Sequence, residues 1–190
     1  MLWKSSCNSV FEQDKNNYVF KLIKGVHGPC PDDELAHPEG NYQFKERSEV
    51  KSPVLEIGKY VWSADIETIA DELIHAKMFY IFQVHGGKNT VGLSFNKSSI
   101  PPSRFIVLDG KIIVGNFSTD LDFVNNFNLR CEIKIDKKLN IFCDYYMNDK
   151  FIGNTKDSNK GKPFLKFGAY RWNALCDVTQ IYRNVEFKSL

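Results

Sequence analysis

Phe44-Lys45-Glu46-Arg47-Ser48-Glu49-Val50-Lys51 reads as a β-strand that carries charge on alternate positions. Side chains two apart on a strand share a face, so Lys45, Arg47, Glu49 and Lys51 line one surface. Two further stretches repeat the pattern. In Phe82-Gln83-Val84-His85-Gly86 it is Gln83 and His85 that share a face, and in Phe164-Leu165-Lys166-Phe167-Gly168-Ala169-Tyr170-Arg171 it is Lys166 and Tyr170. A solvated sheet face can use any polar residue. These strands instead supply cations, an amide, an imidazole and a phenol, a set suited to taking and returning a proton beside an anionic group.

The rest of the chain is consistent with a β protein. Strand-like runs with β-branched or aromatic enrichment recur at 18–23, 43–50, 60–66, 79–85, 90–96, 104–108, 111–116, 128–135, 140–146, 150–153, 165–170 and 178–187. Turn signals such as Pro101-Pro102, Asp109-Gly110 and Asn148-Asp149 separate many of them. Fifteen Phe and eight Tyr favour strands over helices. The segment Glu67–His75 is the exception, because Ile69, Leu73 and Ile74 are spaced for one helical face and predict a short helix. With 190 residues and 43% hydrophobic content, one domain over 1–190 has a substantial core. Many short strands in one domain mean a two-sheet sandwich or a barrel. The expected class is all-β: a β-jelly roll with a concave sheet forming a substrate groove and the second sheet packed behind it. The irregular stretch Gly25–Gly40 is long enough to overhang such a groove, and Lys156–Lys162 reads as a mobile surface loop.

Composition excludes several function classes. The formal net charge is +2, with no stripe of Lys and Arg interleaved with aromatics, so no nucleic-acid partner is expected. No apolar run approaches the length of a membrane span. The N-terminus lacks the apolar core of a signal peptide. The expected location is extracellular, reached after removal of a segment outside this sequence, by lysis, or on a virion. The five cysteines (7, 30, 131, 143 and 176) cannot all pair internally, and none has zinc-ligand spacing. Cys131 and Cys143 flank a hairpin turn at Asp136-Lys137-Lys138 and are read as small buried hydrophobes rather than as a bridge.

Together the three alternating stretches resemble the signatures of jelly-roll polysaccharide lyases. Arg47-Ser48-Glu49-Val50 resembles their Arg-Ser/Thr-Glu-Leu strand, Gln83-Val84-His85 their Gln-Ile-His strand, and Lys166-Phe167-Gly168-Ala169-Tyr170 their Lys-Ala-Gly-X-Tyr strand. The families in view are the alginate lyases of polysaccharide lyase family 7, with the related glucuronan lyases and heparin lyase I. Gly-Ala-Tyr-Arg and the His-Gly-Gly at 85–87 look more like the latter two. Two positions depart from the pattern. Lys51 stands where the alginate lyases usually have a second Arg, which removes bidentate carboxylate recognition there. Phe167 replaces a small Ala and should alter packing behind its strand.

The resemblance implies β-elimination on a 4-linked uronic-acid polysaccharide, by a monomer with no cofactor and no metal. Removing the C5 proton beside an ionised carboxylate requires donors that offset the charge of the carboxylate and the developing enolate. Arg47 and Gln83 suit that task, His85 suits the base, and Tyr170 suits the acid or, in a syn elimination, both roles. Lys166, Glu49, Lys45, Lys51 and Trp172 are the expected substrate-binding or orienting residues. Three rivals differ in what they need. A glycoside hydrolase needs a carboxylate pair, for which Asp65-Ile66-Glu67 is the candidate. A carbohydrate-binding module needs aromatic platforms, and a structural surface protein needs neither. Neither sugar-directed rival accounts for His85 together with Tyr170.

Overall fold

The computed structural model describes residues 3–6, 9–23, 26, 45–70, 78–85, 104–108, 110–115, 117–157, 162–172 and 176–190. They form fourteen strands in two antiparallel sheets. The first sheet runs in the order β1 (Lys4–Ser5), β4 (Lys45–Lys51), β13 (Phe164–Trp172), β6 (Met78–His85), β7 (Arg104–Leu108), β8 (Lys111–Val114) and β9 (Phe117–Asp122). The second runs β12 (Lys150–Asp157), β11 (Ile141–Met147), β10 (Asn126–Ile135), β5 (Gly58–Ala70), β14 (Val178–Ser189), β3 (Asn17–Leu22) and β2 (Glu12–Asp14). Strands distant in sequence lie side by side, so this is the expected two-sheet jelly-roll sandwich.

The core forms where the inner faces meet. Trp62 from β5 packs on Phe82 from β6 with ring centroids 4.4 Å apart, and both are fully buried. Phe167 sits at the centre, within 6 Å of the rings of Trp3, Tyr18, Phe20, Trp62 and Tyr182. The bulky residue that replaces a small one thus points away from the polar face of its strand and fills the sandwich. Full burial of such a side chain contributes about 1.5–3 kcal/mol. At one end of the sandwich Arg171, itself buried, donates to Glu46 and to the Cys176 carbonyl, each at 2.5 Å. Cys131 and Cys143 are free, buried thiols, as small hydrophobes would be.

The chain departs from the sequence reading in several places: strands β1, β2 and β9 lie outside the runs read as strands, and two other segments change type. Glu67–Ala70, read as the start of a helix, extends strand β5; residues 71–75 lie outside the described part. Tertiary pairing overrides the helical spacing there: Glu67 faces Asn126 on β10 and Ala70 faces Val178 on β14. Buried Thr68 donates to Gln180 and Ile69 is half exposed, the alternation of a strand and not of a helix. Likewise Lys156 and Asp157, read as loop, end strand β12, where they face Phe142 and Ile141. The segment Gly25–Gly40 (apart from Val26), the strand read at 90–96, Cys7, Cys30, Tyr42, His27, His37 and His75 lie outside the described residues.

Candidate active site

The three alternating stretches become neighbours. β13 pairs with β4 on one side and β6 on the other, so three separately read faces fuse into one surface on the outside of the first sheet. The register sets Lys51, Lys166 and Gln83 side by side in one row across the strands, and Arg47, Tyr170 and Tyr80 in another.

Glu49 organises this surface. It is 1% exposed, and its Oε1 accepts a hydrogen bond from Gln83 Nε2 at 2.7 Å. Its Oε2 lies 3.5 Å from Lys166 Nζ and 3.8 Å from Arg47 Nε. Because an ionised carboxylate only accepts, the Gln83 amide is oriented with its nitrogen toward Glu49 and its oxygen elsewhere. That oxygen meets His85 Nε2 at 2.9 Å. Neutral His85 therefore carries its proton on Nε2, and its basic nitrogen is Nδ1. The imidazole is held flat against Phe164, with centroids 5.2 Å apart and planes 7° from parallel. Gln83 keeps one amide hydrogen for a ligand.

Tyr170 lies between a cation and an aromatic ring. The Arg47 guanidinium carbon is 4.3 Å from the centre of the phenol ring, and Tyr80 stacks against that ring at 4.8 Å. Tyr80, Tyr170, Ile106 and Ile113 form a small apolar cluster on this outer face, apart from the main core. Tyr80 was not legible as a site residue. Strict alternation from Gln83 and His85 sends it inward with Phe82, but the strand is irregular at Ile81, which is unmatched on β7 and stands against both Gly168 and Ala169 of β13; Ile81 and Phe82 both face the core and the parity reverses.

The bulge is built deliberately. Gly168 has φ +138°, and a Cβ there would lie 2.4 Å from the Ser48 carbonyl oxygen, so neither the backbone nor the space admits a side chain. From the opposite sheet the buried Tyr182 hydroxyl lies 2.8 Å from the carbonyl oxygens of both Ile81 and Gly168, and it accepts from the Gly168 N–H at 3.3 Å. Burial pushes the Tyr182 phenol well above its usual range, and the Glu49 charge adds to this against the opposing Gly168 hydrogen bond. Tyr182 thus ties together the irregular backbone of the two strands that carry His85 and Tyr170. No pattern in the sequence marks it, since it reads as one more core aromatic.

The structure brings Arg47, Glu49, Lys166, Gln83, His85 and Tyr170 onto one face. Lys51 is exposed on the same face beside Lys166. Lys45 and Trp172 face each other at the far end of β4 and β13, and their side chains lie outside the described part. His85 and Tyr170 are not adjacent. They stand opposite Phe164 and Tyr80 respectively, roughly 17–20 Å apart along the strands at the backbone, with the Lys166–Gln83 row crossing between them. A cleft of about 650 Å³ lies elsewhere, between β9 and β12, lined by Thr119, Asp120, Phe151 and Asn154 among others. It shares no residue with this face.

The carboxylate pair of the hydrolase reading lies on the other side of the molecule. Asp65 and Glu67 are on the outer face of the second sheet, where Asp65 accepts from Asn184 and Asn128 and Glu67 pairs with Arg183. Those amide hydrogen bonds hold the Asp65 carboxyl below its usual range, the opposite of what a general acid requires.

No protein-family model matches the sequence, and no curated protein matches it either. Solved structures do. The alginate lyase AlgAT5 of polysaccharide lyase family 7 superposes with a TM-score of 0.57 at 13% identity, over 96% of this chain and 83% of that one. The alginate lyase from Corynebacterium sp. gives 0.57 at 10% identity, over 95% and 81%. The endo-β-1,4-glucuronan lyase from Trichoderma reesei gives 0.54 at 10% identity, over 100% and 87%. The chain has the fold of these lyases. At such identities the likeness covers architecture, and the chemistry has to be argued from the side chains.

Proposed function

We propose that the protein is a polysaccharide lyase that cleaves a 4-linked uronic-acid polymer, of the alginate or glucuronan type, by β-elimination. The observation that carries the reading is the hydrogen-bonded chain Glu49–Gln83–His85, which fixes the tautomer and orientation of an imidazole on the same face as Arg47, Lys166 and Tyr170. The sugar carboxylate meets Arg47 and the remaining Gln83 amide hydrogen, which draw charge out of the carboxylate as the C5–H bond weakens. His85 takes the C5 proton. The electron pair forms the C4–C5 double bond, and the C4–O bond breaks. Tyr170 gives its phenolic proton to the departing oxygen, and solvent then resets both groups. Arg47, set against the phenol ring, stabilises the phenolate left behind.

The fold shared with solved alginate and glucuronan lyases supports the substrate class. A polymer of this kind is met outside the cell, so the proposed location is extracellular. Among the described residues no helix is long and apolar enough to cross a membrane.

Incubation with alginate, glucuronan, heparin and hyaluronan tests the reading through the ultraviolet absorbance of the new C4–C5 double bond. His85→Ala and Tyr170→Phe should each lower kcat by about 10²–10⁴-fold without unfolding the protein. New reducing ends without that absorbance would mean hydrolysis. Retention on a polysaccharide gel with no cleavage of any uronate polymer would mean a binding module. If His85→Ala kept full activity while Tyr170→Phe lost it, Tyr170 would serve as both base and acid.

A further inference from the structure

The register of the first sheet sets three lysines in succession in one row. Lys4 on β1 stands directly opposite Lys51 on β4, Lys51 opposite Lys166 on β13, Lys166 opposite Gln83 on β6, and Gln83 opposite Arg104 on β7. Three lysines are therefore immediate cross-strand neighbours. Like charges in that relation destabilise a sheet. Elsewhere on the surface Lys21, Lys111 and Lys188 each have a carboxylate oxygen within 2.7 Å, and the second sheet sets only two lysines directly opposite each other, Lys59 and Lys134, before an aromatic, Phe142, interrupts the row. In the row, Lys166 lies near Glu49, a carboxylate already engaged by Gln83 and flanked by Arg47. Lys4 and Lys51 are both exposed, and among the described residues neither has an acidic partner.

A lysine on a short edge strand is a common guard against edge-to-edge pairing, and that would account for Lys4 alone. It does not account for Lys51. β4 is an interior strand between β1 and β13, and its neighbours in the row are two more cations. A chain with a net charge of only +2 has concentrated positive potential along one line through its candidate active site.

The geometry points to an anion subsite formed by Lys4 and Lys51, which takes the carboxylate of a uronate outside the reacting pair. This rests on the lyase reading and extends it. The polymer lies along the row, across the strands, and passes between His85 on one side and Tyr170 on the other. From β1 to β7 the row crosses four strand gaps of about 4.8 Å, about 19 Å in all, enough for several sugars. The sugar that reacts sits at Lys166 and Gln83, and the units toward β1 present their carboxylates to Lys51 and then Lys4. A compact ammonium tolerates variable carboxylate geometry, whereas a guanidinium imposes a bidentate one. Lys51 therefore suits a subsite that holds charge without fixing the ring.

The test compares wild type, Lys4→Gln, Lys51→Gln and the double variant on a long polyuronate and on the shortest oligouronate that is cleaved. The double variant should raise KM on the long polymer about tenfold, with each single change smaller, and the loss should fall on KM rather than kcat. It should also flatten the decline of kcat/KM with salt, because two screened charges are gone. Its melting temperature should hold or rise, since a like-charge contact has been removed. The proposal is overturned by an unchanged KM, by an equal rise on the shortest oligomer, or by aggregation of the variant with normal kinetics in its soluble fraction, which would mark the pair as an edge guard. Should wild type cleave no uronate polymer, the lyase reading falls, and the subsite is judged by binding. Polyuronate retardation in affinity electrophoresis that disappears in the double variant supports it, and equal retardation overturns it.

Discussion

The two outer faces of the sandwich follow the same alternating rule and use it for opposite ends. On the second sheet the outward charges stand in water, several of them as simple pairs: Lys21 with Glu12, Lys188 with Glu186 and Arg183 with Glu67. On the first sheet the outward polar residues are withdrawn from solvent, with Glu49 at 1%, Gln83 at 3% and Lys166 at 8% exposure. Burying ionised and amide groups costs several kcal/mol unless every partner is in place. The second face needs only solubility, and loosely held pairs provide it. The first face accepts the cost of desolvation and gains fixed orientation: one carboxylate sets an amide, and the amide sets a histidine tautomer.

The sharpest way to break this comparison is to remove the charge of Glu49 while keeping its shape. In Glu49→Gln the Gln83 amide is free to flip and the His85 tautomer is no longer dictated, while Lys166 and Arg47 lose the anion between them. Activity should fall on the order of 10²-fold or more, and stability by about 3 kcal/mol because buried cations are left uncompensated. Nitrogen NMR of the histidine ring should show a single Nε2–H tautomer in wild type and a mixture in the variant. The matching change on the other face, Glu186→Gln, should move stability by less than about 0.5 kcal/mol. If Glu49→Gln were equally silent, the two faces would differ in exposure and not in function.

Tyr182→Phe comes next in size and asks whether the hidden bulge matters to the site above it. Loss of the hydroxyl leaves the Ile81 and Gly168 backbone groups without their buried partner, at a cost of about 1–3 kcal/mol. If the bulge positions Tyr80 and Tyr170, kcat should also fall while KM changes little. A thermal loss with unchanged kcat would show that the tie serves the fold alone.

The same bulge marks the limit of what the sequence discloses. Alternation along 44–51, 82–86 and 164–171 is a local property, so Arg47, Glu49, Gln83, His85, Lys166 and Tyr170 could be read from it, and the sandwich with them. Resemblance supplied their roles. Three things were not legible because they depend on pairing. Tyr80 changes faces through an irregularity at Ile81 in its own strand, visible only against the strands on either side. Lys4 sits in a two-residue strand with no periodicity to read, and acquires meaning only from Lys51 opposite. Glu67–Ala70 has helical spacing, but two flanking strands supply more hydrogen bonds than an isolated turn of helix.

The smallest expected effect belongs to the second face and sharpens the comparison from its weaker side. Asp65 is exposed, and its carboxyl is held below the usual range first by hydrogen bonds from Asn184 and Asn128, against an opposing burial effect, and last by the charge of Arg183. A carboxylate favoured in the folded state stabilises the protein above its unfolded pKa, about 3.9 for Asp, and that contribution disappears as pH falls through the lower folded value. Solvent screening keeps it small. Wild type should exceed Asp65→Asn by less than about 1 kcal/mol at pH 7, and urea titrations at descending pH should show the gap closing between about pH 4 and the folded pKa. High salt should affect this gap little if hydrogen bonds carry it and reduce it if Arg183 does. A gap that stayed constant with pH would assign the stabilisation to shape rather than charge. Cleavage of the polymer should be indifferent to the substitution, because Asp65 and His85 stand on opposite outer faces of the sandwich, with the aromatic core between them.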